Sequence, residues 1–79
     1  MTPIEFLAGL PQFVPIAGEV PGLRTLLNAQ TGCHVRERQG SSGLILTSAG
    51  GNAVLEGAAL TKYLEAADLF ATVLAAARR

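Results

Sequence analysis

Three side chains able to carry positive charge, His34, Arg36 and Arg38, recur at every second position within Cys33-His34-Val35-Arg36-Glu37-Arg38-Gln39. On an extended strand that spacing puts all three on one face, with neighbours about 6.6 Å apart. Such a row can meet successive phosphates of a single-stranded nucleic acid, and Arg24 is the cation placed to join it across a groove. Glu37 lies beside the row and no aromatic residue interleaves for base stacking. Read structurally, the same cations keep an edge strand from aggregating.

Other chemistry is sparse. The single cysteine, Cys33, excludes an internal disulfide, and with one histidine beside it on the opposite strand face no zinc site can be assembled. No spacing unites a base, a nucleophile and an oxyanion donor, so no catalytic residue, metal or cofactor is expected and the chain does not read as an enzyme. Gly50-Gly51-Asn52 reads as a helix start with Asn52 as its cap.

The bulk numbers narrow the remaining classes. Six basic residues balance six acidic ones, so there is no net field to attract a phosphate backbone and any nucleic-acid site must be a local patch. Apolar residues make up 49% and charged residues 15% of the chain, which excludes disorder. Seventy-nine residues suffice for a single domain, which at this size buries only about 60% of the surface its unfolded chain exposes. The sequence shows no leader pattern and no apolar run of membrane-spanning length, so a cytoplasmic address without membrane contact is the default expectation.

The elements that must position these residues follow from local signals. Thr2-Pro3-Ile4-Glu5 combines a hydroxyl cap, proline at the first helical position and a capping-box glutamate, which predicts a short helix over 3–8. Alternation of Ile4, Phe6, Ala8 and Leu10 is the competing strand pattern. The core is expected over 12–77. Pro11 to Ala17 reads as a strand that Pro15 confines to a sheet edge. Leu23, Leu26 and Leu27 make the stripe of a short helix starting near Pro21 and stopped by Gly32. The basic strand follows, then the turn Gln39 to Gly43 and the apolar strand Leu44-Ile45-Leu46-Thr47. From Ala53 to about Ala77 the pattern predicts one long helix with Thr61, Glu65, Asp68 and Thr72 as its polar stripe. These elements add up to an α+β fold, a three-stranded antiparallel sheet in the order 1-3-2 covered on one face by helices, with the basic strand at its border.

The order strand, Gly-loop and helix, strand, strand, helix resembles the βαββα core of KH domains of the first type, here with an extra N-terminal helix. Gly18 and Thr31-Gly32 occupy the places of the family's loop glycine and its helix-ending T-G. Val35 to Thr47 resembles the strand, variable loop and strand that follow, and the stretch G-E-x-x-x-x-L-R-x-L is similar to the shortened KH-like domain of PhoH-type proteins. The resemblance covers about Val14 to Phe70. It implies single-stranded RNA or DNA as partner, held at Gly18, Glu19, Val20 and Pro21 together with Arg24, His34, Arg36 and Arg38. The G-x-x-G turn is degenerate, since Pro21 lacks an N–H and Glu19 brings a negative charge. The stretch Gly43 to Gly50 also resembles the strand of roadblock-type GTPase-regulator domains, a second scaffold.

The alternative function resides in the last helix. Its apolar face is wider than a small sheet can cover, which leaves Leu69, Phe70, Val73 and Leu74 as anchors for self-association or a protein partner.

Overall fold

The computed structural model describes residues 1–18, 21–40 and 42–78. Its elements are α1 (Pro3–Ala8), β1 (Phe13–Ile16), β2 (Thr25–Asn28), β3 (His34–Glu37), β4 (Leu44–Ser48), β5 (Gly51–Leu55) and α2 (Gly57–Ala77). The strands form one antiparallel meander in the order β1-β2-β3-β4-β5.

This corrects the three-stranded 1-3-2 sheet expected from sequence. The residues read as a helix after Pro21 are strand β2, and the basic strand is the third of five, at the centre of the sheet instead of its border. The long helix starts later than expected, because Gly51 to Leu55 pair with β4 as a fifth strand. No connection between consecutive strands exceeds eight residues, whereas a crossover between parallel strands needs a dozen or more. Each strand therefore lies beside its predecessor.

Local chemistry explains each replacement. At the end of β2, Asn28 organises a tight reversal: its Oδ1 accepts from the Gln30 N–H at 3.0 Å and its carbonyl from the Gly32 N–H at 2.8 Å. Gly32 sits at φ +76°, a left-handed conformation suited to glycine, so Thr31-Gly32 ends a hairpin turn and not a helix. Ala49-Gly50 is a two-residue loop between β4 and β5, with Gly51 at φ +120°.

Alternation sorts the sheet into two faces. The inner face carries Phe13, Leu26, Val35 and Leu44, all buried, with Leu46 and Leu55 half-buried beside them. Ile4 and Leu7 of α1 and Ala67 of α2 close over it, joined by Leu60, Tyr63 and Leu64. Both helices thus cover one face, and the core is the single layer between them. Thr2 caps α1, its Oγ1 accepting from the Glu5 N–H at 3.3 Å and donating to Glu5 Oε1 at 2.9 Å. The hydrogen bond from the Thr2 hydroxyl, and after it one from the Thr2 backbone, hold the Glu5 carboxyl below its ordinary pKa.

Candidate functional site

The face of the sheet that no helix covers is built from two rows that cross all five strands. One runs Val14, Leu27, His34, Thr47, Asn52 and the other Ile16, Thr25, Arg36, Ile45, Val54, each residue opposite the next in register. Aliphatic side chains thus ring a polar centre. Val14 and Val54 at the two margins are 44% and 50% exposed, and Ile16, Leu27 and Ile45 are half-buried.

At that centre lies an open hollow of about 180 Å³ lined by Ala17, Gly18, Thr25, His34, Arg36, Thr47 and Asn52. Gly18 packs so closely over Thr25 that a Cβ there would stand 2.6 Å from Thr25 Oγ1, so any larger residue must displace that hydroxyl. Among the described residues Arg36 has no ion-pair partner, and no carboxylate lines the hollow. The arrangement gathers hydroxyl, amide, imidazole and guanidinium donors, a set able to hold one anionic group.

Of the residues expected to meet nucleic acid, Gly18, His34 and Arg36 come together here. Arg38 and Arg24 do not join them. Arg38 follows β3 and pairs with Gly43, which continues the ladder to Glu56 on the far side. With only a glycine between, the Arg38 guanidinium reaches Glu56 and donates to its Oε2 at 2.8 Å. Both groups are largely exposed, so the pair contributes about 0–1 kcal/mol, but it offsets the third charge of the row. Arg24 pairs with Glu37 at the other end of β2, its N–H donating to Glu37 Oε2 at 3.0 Å and its carbonyl accepting from the Glu37 N–H at 3.3 Å. Two positions from Leu26, Arg24 belongs to the inner face, where its charge is felt by Glu5 of α1. Pro21 lies in an exposed turn, and Glu19 and Val20 fall outside the described residues. Thr25, Thr47 and Asn52 were missed by sequence reasoning. Their signal was register, since each aligns with Arg36 or His34 only once the strands are paired.

Compared with known proteins, the chain matches no family model, no curated protein and no solved structure.

A second surface lies along α2. Its covered stripe is Leu60, Tyr63, Leu64, Ala67, Ala71 and Leu74, and its polar stripe Thr61, Glu65, Asp68 and Thr72 is exposed. Between them Leu69, Phe70 and Val73 are 67%, 39% and 56% exposed, whereas Leu74 turns inward and is half-buried. Three of the four expected anchors therefore share an open face. Phe70 also borders a groove of about 410 Å³ between α2 and the β2–β3 turn, lined further by Gln12, Asn28 and Tyr63. Burial raises the Tyr63 phenol above its ordinary pKa, Cys33 adds to this, and a hydrogen bond with Asn28 opposes it. Gln12 is 2% exposed; its Nε2 donates to the Ala67 carbonyl at 2.9 Å, while Oε1 has no hydrogen-bond partner among the described residues.

No helix among the described residues is long and apolar enough to cross a membrane, and no three of their His, Cys, Asp or Glu side chains are grouped to hold a metal ion.

Proposed function

We propose that this protein is an interaction module that assembles with protein partners, its own copies included, through the open face of α2. The observation that carries this reading is the exposure of Leu69, Phe70 and Val73 along one side of a 21-residue helix whose only buried positions are alanines, Ala67 and Ala71. Apolar side chains lined up in this way gain from being covered, by about 25 cal/mol for each Å² removed from water. The balanced charge of the chain removes long-range repulsion between copies. In sedimentation at rising concentration the protein runs heavier than its 8.2 kDa chain mass, and Phe70→Glu lowers the mass it reaches without altering its circular dichroism. A protein that stays monomeric at high concentration and binds no partner through α2 contradicts the reading.

A specific observation also supports a second reading, weak binding of single-stranded nucleic acid. The hollow on the open sheet face joins Gly18, His34 and Arg36 with three neutral donors and, among the described residues, no carboxylate. One guanidinium and one imidazole suit a single phosphate. On this reading Arg36→Ala weakens oligonucleotide binding about equally for all sequences and reduces the salt slope by about 0.7, the share of one phosphate on a single strand. Absence of binding by the unmutated protein at low salt removes it.

A further inference from the structure

The two edges of the sheet are treated in opposite ways. The Ala29 N–H donates to the Gln12 carbonyl at 2.8 Å, and antiparallel alternation then makes Val14 and Ile16 the β1 residues whose main chain bonds β2. The main-chain groups of Phe13 and Pro15 point outward from the edge, away from β2. Pro15 has no N–H, and that of Phe13 is taken by the Leu10 carbonyl at 3.2 Å. Strand β1 thus offers a newcomer no donor.

Strand β5 is different. The Arg38 N–H donates to the Gly43 carbonyl at 3.1 Å, so by the same alternation β4 turns its odd-numbered residues towards β3 and its even-numbered ones towards β5. Leu44, Leu46 and Ser48 therefore bond Leu55, Ala53 and Gly51. The main-chain groups of Asn52 and Val54 point outward, and no hydrogen bond occupies them among the described residues. Positions 51–54 are exposed. Gly51-Asn52-Ala53-Val54-Leu55 carries no charge and no proline, the devices that normally blunt an edge.

We infer that β5 is the pairing edge for a second copy of this chain, joined antiparallel about a two-fold axis at Ala53 to make one ten-stranded sheet. The outward groups are symmetric about that axis. Asn52 of one copy faces Val54 of the other, giving four main-chain hydrogen bonds, with the small Ala53 side chains meeting where the two inner faces come together. An uncharged strand in a chain of zero net charge meets no repulsion from its own image. Because β1 lacks donors, pairing closes at two copies and does not propagate into a fibre. The contact is confined to a strand of five residues, about 17 Å long, so the dimer is reversible and depends on concentration.

The inference rests on the assembly reading but uses a different surface. Proline at position 54 removes one outward N–H from each copy and leaves the bonds to β4 in place. In sedimentation over a concentration series the unmutated protein approaches twice 8.2 kDa, and Val54→Pro, with unchanged circular dichroism, dimerises at least tenfold more weakly. Hydrogen exchange on the unmutated protein gives the same information without a variant. Amides of Asn52 and Val54 become protected as concentration rises, whereas those of Ala53 and Leu55 are protected throughout. A dimer in which Asn52 and Val54 exchange as fast as in dilute protein overturns the edge pairing. So does a dimer that survives Val54→Pro but is lost in Phe70→Glu, an outcome that leaves the helix reading standing. A protein monomeric at every concentration overturns the second copy as occupant, including the case where β5 takes a strand from another protein.

Discussion

Leu7→Ala lowers the stability of the fold by about 2–5 kcal/mol, read as a lower urea midpoint at unchanged slope. Leu7 is 0% exposed and Ile4 only 1%, and these are the two side chains that α1 buries. A helix of six residues is too short to persist on its own in water, so α1 exists because these two side chains enter the core between the inner sheet face and α2. Truncating Leu7 removes its transfer free energy and leaves a void that a one-layer core has little freedom to refill. For 79 residues the total stability is on the order of 4–12 kcal/mol, so this one change takes a large share of it. Leu69→Ala on the exposed side of α2 makes the contrast: the same deletion there leaves the midpoint of the dilute protein nearly unmoved.

How far the chain could be read in advance depended on whether a signal was local. The start of α1 is written in four consecutive residues, Thr2 to Glu5, and the cap bonds they imply are present. Pro15 placed its strand at an edge because a missing N–H is a property of that residue alone. The alternation of His34, Val35 and Arg36 gave a strand but not its place in the sheet, which depends on how many partners arrive on either side. Leu23, Leu26 and Leu27 mimic a helical stripe. Pairing with β1 and β3 instead turns Leu26 into the core and Leu27 onto the open face. Asn52 to Leu55 reads in sequence as the cap and first turn of the helix, because Asn52 can cap and Ala53 and Leu55 suit a helix. The hairpin closed by Ala49-Gly50 offered those residues a partner strand before the helix began. Those two reassignments moved the basic strand from border to centre, and with it the proposed site from a sheet edge to a face. The separation of Arg24 and Arg38 from Arg36 followed from the same cause: their partners, Glu37 and Glu56, become neighbours only through register.

Gln12→Glu makes the stability of the fold depend steeply on pH, falling by about 2–3.5 kcal/mol between acidic and neutral solution. Gln12 is a buried polar residue of the core, with one hydrogen bond, from Nε2 to the Ala67 carbonyl, and an oxygen that has no partner among the described residues. A protonated carboxyl reproduces this pattern, since its O–H can donate to Ala67 while the other oxygen remains as Oε1 is now. Ionised, the same group loses its donor, turns a negative charge on the carbonyl of Ala67 and finds no cation among the residues that line the adjoining groove. Burial therefore raises its pKa in the folded state above the unfolded value. The sign follows: stability is fully present below the unfolded pKa of a glutamate and is lost as pH rises through the higher folded one. Urea midpoints measured across that interval decline for the variant and stay nearly level for the unmutated protein. A level profile for Gln12→Glu would mean that water reaches position 12. Gln12→Met, which replaces the amide with an apolar group of similar length, removes the orphaned acceptor and leaves stability equal or higher at every pH.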